Sequence, residues 1–189
     1  MRTFIAVPIE DDNLKNRIVE VQSKIPLDFA KVKLVERENL HFTLRFIGEI
    51  SEAKAEKLIE NLNDIILSPF QIEIANFGCF PSCSKPRVLW IGTTLGIAEF
   101  KNLKQLVDES VWRSGIRVPK EKFTPHLTIG RVKRIIDFQK FREALKISDV
   151  YIGRMVVDHF TLMKSTLTPQ GPIYTVLKKF SLNGGSGEI

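Results

Sequence analysis

Cysteine, histidine, methionine, tryptophan and tyrosine are all scarce in this chain of 189 residues, which holds 2 Cys, 3 His, 3 Met, 2 Trp and 2 Tyr. Two cysteines, Cys79 and Cys83, cannot build a zinc site alone and are too few for a disulfide scaffold. The simplest expectation is a pair of thiols, with a local disulfide as the alternative. Long apolar runs are missing too. The first run, Phe4 to Ile9, contains Pro8 and is followed directly by Glu10, Asp11 and Asp12. That pattern is expected of neither a signal peptide nor a membrane span, and it points to the cytoplasm. A strong charge bias is also absent. Lys+Arg 28 against Asp+Glu 22 gives +6, a mild excess that suits an anionic ligand without identifying one.

The composition that is present belongs to a packed protein. With 43% hydrophobic residues and 13 Phe, there is enough apolar side chain for a core, which excludes a disordered or fibrous chain. Short β-like runs alternate with amphipathic helices. Strands are expected at Thr3–Pro8, His41–Ile47, Phe70–Ala75, Val88–Ile91, His126–Val132, Arg154–Met163 and Ile173–Phe180. Helices are expected where Leu14, Ile18, Val21 and Ile25 recur behind Asp11 or Asp12, and where Leu58, Ile59, Leu62 and Ile65 follow Ser51. Two more are expected over Leu103–Val111, closed by Gly115, and over Asp137–Leu145. The Gly, Ser and Pro density from Phe77 to Pro86 reads as a loop. No linker separates independent domains, so residues 1–183 are expected to form one α+β unit of two similar halves, with 184–189 as a flexible tail.

One short pattern carries the chemistry. His41-Phe42-Thr43-Leu44 and His126-Leu127-Thr128-Ile129 are both His-x-Thr-aliphatic within strand-like segments. Residues i and i+2 of a strand share a face. His41 and Thr43 therefore point one way and Phe42 and Leu44 the other, and the second motif repeats this. Two imidazoles and two hydroxyls facing each other across a cleft suit displacement at phosphorus. One neutral histidine takes a proton from the attacking oxygen, and a protonated partner gives one to the leaving oxygen. The Thr hydroxyls donate to the non-bridging oxygens. Arg45, two residues beyond Thr43 and so expected on its face, and Arg131, three beyond Thr128, are candidate phosphate donors. A third copy, His159-Phe160-Thr161-Leu162, has Asp158 beside it and lacks a basic follower. It is read as structural.

On these residues and their flanks the sequence resembles the two-histidine phosphoesterases, and among them the RNA 2′,3′-cyclic phosphodiesterases, also called 2′-5′ RNA ligases. The likeness covers most of the chain. It includes Arg2-Thr-Phe-Ile-Ala-Val, Leu40-His-Phe-Thr-Leu-Arg-Phe-Ile-Gly-Glu, Pro86-Arg-Val-Leu-Trp-Ile-Gly, Phe123-Thr-Pro-His-Leu-Thr-Ile-Gly-Arg and Ser165-Thr-Leu-Thr-Pro-Gln-Gly-Pro-Ile-Tyr. The resemblance implies a bilobal α+β fold, with two antiparallel sheets related by pseudo-twofold symmetry around a central cleft and helices outside. It implies opening of a terminal 2′,3′-cyclic phosphate on RNA to a 2′-phosphate, without metal or other cofactor, with tRNA fragments among the candidate substrates. His41 is then the donor to the leaving 3′ oxygen, and His126 the acceptor that activates water. Thr43 and Thr128 then hold the phosphate. The same chemistry with a 5′-hydroxyl in place of water joins that hydroxyl to the cyclic phosphate. Apart from the resemblance, Tyr174 and Arg87 are candidates to line the substrate path, with packing and surface solvation as their alternatives, and a monomer is expected.

Three other readings stay open on the sequence. An esterase for a small cyclic nucleotide phosphate needs the same four groups. A non-catalytic RNA-binding module could use Lys85, Arg87, Arg113, Arg117, Lys120 and Lys122 with the many Phe. A site of three histidines holding a metal lacks helical i, i+4 spacing and a carboxylate partner.

Overall fold

The computed structural model describes residues 1–184. Its strands are β1 (Arg2–Pro8), β2 (Ala30–Leu34), β3 (His41–Glu49), β4 (Phe70–Phe80), β5 (Val88–Leu95), β6 (His126–Ile135), β7 (Tyr151–Val157), β8 (His159–Thr168) and β9 (Gly171–Ser181). Its helices are α1 (Asp12–Gln22), α2 (Glu52–Asn63), α3 (Ile97–Arg113) and α4 (Phe138–Ala144). Local chemistry explains where the helices start. Asp11 accepts from the Leu14 N–H and caps α1, Ser51 caps α2 through the Lys54 N–H, and Asp137 caps α4 through the Lys140 N–H. The α3 helix ends ahead of Gly115, whose φ of +73° few other residues adopt.

All strand pairs are antiparallel, and they form two four-stranded arrays. One runs β3-β1-β8-β9 and the other β6-β5-β4-β7, with β2 added along β6. The two sheets expected from the sequence are therefore present but joined. A single pair, Phe42 opposite Leu127, fuses them into one curled sheet. That pair lies on the pseudo-twofold axis, between the two motifs. Both residues are fully buried, and the Phe42 ring meets Phe100 of α3 at 5.2 Å. Helix α1 packs on β6 and β7, while α3 packs on β3 and α2. The apolar half of each His-x-Thr strand is thus held down by a helix layer, and its polar half is left for the cleft.

Four expectations need correction. The run read as one strand from Arg154 to Met163 is two strands broken at Asp158, because β7 pairs with β4 in one array and β8 with β1 in the other. Strand β2 is an addition to the expected set: its Ala-Lys-Val-Lys-Leu sequence is short and lysine-rich, as edge strands often are. Phe77–Phe80, read as loop, continues β4 opposite β5. Finally, Cys79 and Cys83 are not free thiols; they form a disulfide with Cα atoms 4.9 Å apart. The expected tail lies outside the described residues except for Gly184, whose N–H bonds to the Leu67 carbonyl. Among the described residues no helix is long and apolar enough to cross a membrane.

Candidate active site

Each motif histidine is the first residue of its strand, and each is fixed by the same local device. The His41 Nδ1 lies 2.6 Å from the Asn39 carbonyl, and the His126 Nδ1 lies 2.7 Å from the Thr124 carbonyl. A carbonyl only accepts, so Nδ1 carries the proton in both rings and Nε2 is the nitrogen left for chemistry. Both carbonyls belong to the residue two places back. For His126 that residue precedes Pro125, and Pro biases its predecessor to the extended backbone.

Continuing the Phe42–Leu127 register by one residue each way sets His41 across from Thr128 and Thr43 across from His126. The four polar groups of the two motifs therefore form a cross-strand quartet on one face. His41 Nε2 is 2.9 Å from Thr43 Oγ1, and with the proton on Nδ1 the hydroxyl donates. No equivalent bond joins Thr128 to His126 among the described residues. A cavity of about 480 Å³ opens over the quartet, with His41, Thr43, Thr128, Arg131 and Tyr174 in its wall. His126 stands beside this cavity, close enough for its charge to act on His41.

The surroundings tune His41. Burial pushes its pKa below the ordinary histidine value; the Asn39 carbonyl opposes this, and the Arg131 and His126 charges add to it. Its ring lies against Phe4 at 5.2 Å and edge-on to Tyr174 at 5.6 Å. Burial pushes the Tyr174 phenol up, so its hydroxyl remains a donor at neutral pH. His126 is walled differently, by Phe80 at 4.9 Å and Trp90 at 6.2 Å. Trp90 lies flat on Gly78, where a Cβ would come within 2.2 Å of the indole, so only glycine leaves that wall room.

The structure brings together His41, Thr43, Thr128, Arg131 and Tyr174, but not Arg45. The Arg45 side chain is 2% exposed and faces the helix layer, bidentate on Asp108 at 2.7 and 2.9 Å, with a further bond to the Pro119 carbonyl. The cause is a β-bulge. Along β3, Thr43 pairs with Ala6 and Arg45 with Ile5, leaving Leu44 as the extra residue. One inserted residue reverses every later side chain. Arg45 turns inward, and Phe46 takes the cavity position that Arg45 was expected to hold. Strand β6 bulges at the equivalent place, between Thr128 and Gly130. Arg131 therefore faces the cavity although it is an odd number of residues from Thr128.

His159 is kept out of the quartet. Its Nδ1 meets Asp158 at 2.6 Å and its Nε2 meets Glu10 at 2.8 Å, and the Thr161 hydroxyl donates to the Ala6 carbonyl. The third motif copy thus bonds to Asp158, Glu10 and β1 and not to the other two motifs, and the three histidines do not converge on one point. Arg87 lies outside the cavity wall. Sequence reasoning missed Phe4, Phe46, Lys33 and Lys133 in the wall and Phe80 and Trp90 around His126. The Pro86-to-Gly92 flank held Trp90 and the N-terminal flank held Phe4, but neither pattern shows which ring it touches. Arg2, Lys33, Arg131 and Lys133 outnumber Glu36, the lone acid in the wall, so the cavity favours an anion.

Comparison with known proteins agrees over nearly the whole chain. The LigT-like phosphoesterase model matches residues 7–90 and 96–174. An RNA 2′,3′-cyclic phosphodiesterase of Methanocaldococcus jannaschii is 40% identical over 185 residues, covering 95% of this chain and 100% of the relative. A protein of the same name from Aquifex aeolicus is 42% identical over 157 residues, covering 80% and 82%. Among solved structures, a Thermus thermophilus protein superposes with a TM-score of 0.81 at 30% identity, covering 98% and 100% of the chains. Escherichia coli LigT complexed with 3′-AMP superposes with a TM-score of 0.80 at 26% identity, covering 96% and 97%.

Proposed function

The chain belongs to the LigT-like phosphoesterase family, and on that premise we propose that it hydrolyses terminal 2′,3′-cyclic phosphates of RNA to 2′-phosphates. The observation that carries this reading is the matched pair of histidines, each with Nδ1–H tied to the carbonyl two residues back, so that Nε2 is the basic nitrogen, held by the Thr43 hydroxyl in His41 and without a partner among the described residues in His126. Water attacks phosphorus as one Nε2 takes its proton. The bond from phosphorus to the 3′ oxygen breaks as the other Nε2–H protonates that oxygen. The Thr43 and Thr128 hydroxyls, with Arg131, meet the non-bridging oxygens where charge accumulates.

Family resemblance gives His41 the donor role and His126 the acceptor role. In the free protein, burial and Arg131 favour neutral His41. The donor role then requires the anionic phosphate to enter first, since a nearby negative charge raises an imidazole pKa. Both histidines come from one chain, so the site is complete in a monomer. Residues 1–183 are read as one bilobal unit because the site needs both halves. Cytoplasmic RNA ends, tRNA fragments among them, are the proposed substrates, and the same steps with a 5′-hydroxyl attacking in place of water give 2′-5′ ligation.

The test uses end-labelled RNA bearing a 2′,3′-cyclic phosphate, incubated in EDTA with wild type, His41→Ala, His126→Ala and His159→Ala. A 2′-phosphate product that disappears with either of the first two variants and persists with the third is expected. Loss of wild-type turnover in chelator, restored by zinc, would overturn the mechanism. Turnover confined to small cyclic phosphates would move the assignment to that substrate class.

A further inference from the structure

Lys133 belongs to two surfaces at once. It stands in the wall of the catalytic cavity and also in that of a separate groove of about 250 Å³ running over the end of β6. The second groove is walled by Lys85, Arg87, Arg134 and Phe138, and contains no carboxylate. None of Lys85, Arg87, Lys133 or Arg134 forms an ion pair among the described residues.

The sheet register adds to this concentration of charge. Strand β2 lays Lys31 opposite Arg134, neither in an ion pair among the described residues, while Lys33, opposite Arg131, is paired with Glu36. Like charges set directly across a ladder are destabilising, and an anion laid along them would relieve the repulsion. Phe138, at the start of α4, is 39% exposed at the groove, with the Arg142 guanidinium 5.5 Å from its ring centre. A row of unpaired cations with an open aromatic ring suits single-stranded nucleic acid, in which phosphates repeat and every base has a face to stack.

We infer that this groove is a subsite for the RNA strand immediately 5′ of the cyclic phosphate, entered from the catalytic cavity past Lys133. The inference rests on the proposed activity and extends it. The enzyme recognises a polynucleotide end, and a nucleoside 2′,3′-cyclic phosphate fills only the cavity. Lys85, Arg87 and Arg134 neutralise backbone phosphates and Phe138 stacks a base. None of these four lies in the catalytic wall.

The test compares two substrates, a nucleoside 2′,3′-cyclic phosphate and an RNA of about ten nucleotides ending in the same group, a length within known single-strand site sizes. The triple variant Lys85→Gln/Arg87→Gln/Arg134→Gln should lose kcat/KM on the RNA and keep it on the nucleoside, which also reports an intact fold. Three lost contacts correspond to a salt slope smaller by about 2. Wild type should therefore lose about 20-fold more RNA affinity than the variant between about 50 and 200 mM salt. Phe138→Ala should weaken RNA binding about tenfold without changing the salt slope.

Equal kcat/KM on both substrates for wild type and variant, or equal loss on both, would overturn the inference. Anisotropy of a labelled RNA ending in a 2′-phosphate reads the groove independently of turnover. A wild type that binds this RNA with the steeper salt slope but hydrolyses neither substrate would keep the groove and discard the proposed activity. Identical binding by wild type and variant would discard the groove alone.

Discussion

His41 and His126 are presented by the same backbone device, a strand-initial histidine with Nδ1 on the carbonyl two residues back, yet their neighbourhoods differ. His41 is held by the Thr43 hydroxyl and enclosed by Phe4 and Tyr174, within reach of the Arg131 charge. His126 has no hydroxyl partner among the described residues and leans on Phe80 and Trp90. The strand beneath differs as well: at the bulge the first half carries Arg45 in a buried ion pair, and the second carries Gly130. A repeated fold thus supplies two imidazoles in equivalent orientation, while unequal side chains give them unequal environments. Acid–base catalysis needs that inequality, because the two groups must hold different protonation states at one pH.

The largest expected effect comes from removing either member of the pair. His41→Ala and His126→Ala should each lower kcat by about 10²–10⁴-fold. The double variant should be scarcely worse than the poorer single one, since groups that act as a unit are not additive. Single-turnover assays on the RNA substrate check this, and additive losses would mean that the two halves work independently.

Stability should separate the halves next. Asp108→Ala leaves Arg45 buried without its bidentate partner and with only the Glu121 carboxylate at 3.2 Å, at an expected cost of up to about 3 kcal/mol in urea unfolding. Gly130→Ala, at the matching bulge, meets the Val32 side chain at 3.1 Å, with Leu34 and the Lys33 carbonyl at ordinary contact distance, and should cost about 1 kcal/mol. On the His126 side, Gly78→Ala drives a methyl into the Trp90 ring and should cost about 1–3 kcal/mol. It should also lower kcat while the His41 pH limb stays in place. Unchanged kcat in this variant would show that the aromatic wall does not position His126.

The smallest expected effect is on pH dependence. The folded His41 pKa lies below its unfolded value, so the unfolded chain binds the extra proton first as pH falls. Below about 6.5, the ordinary histidine pKa, His41 therefore subtracts stability; replacing it with Gln should flatten that part of the stability profile. In kinetics, kcat/KM reports the ionisations of the free enzyme, and as proton donor His41 sets the limb on which activity falls as it loses its proton. Arg131→Gln removes a cation that opposes protonation and should move the His41 limb to higher pH. A limb that stays put would show that burial alone sets His41.

Much of this was legible because it is local. Alternation along a strand puts His41 with Thr43 and His126 with Thr128, whatever the strand pairs with. Asp11 and Ser51 announce their helices through side chains that reach only three residues ahead. The bulge after Thr43 was not legible, because it exists only relative to the register of β1, and it exchanged Arg45 for Phe46 at the cavity. The break at Asp158 likewise depends on two strands choosing partners in different arrays. The Cys79–Cys83 bond depends on a chain path that brings two Cα atoms within bridging distance. By itself, then, the sequence determined which residues are the candidates for the chemistry and the face on which each motif shows them, since strand periodicity is a property of the backbone. Only the tertiary structure decided which histidines meet, which arginine reaches the cavity and how far His41 is desolvated, since those follow from contacts between segments far apart in the chain.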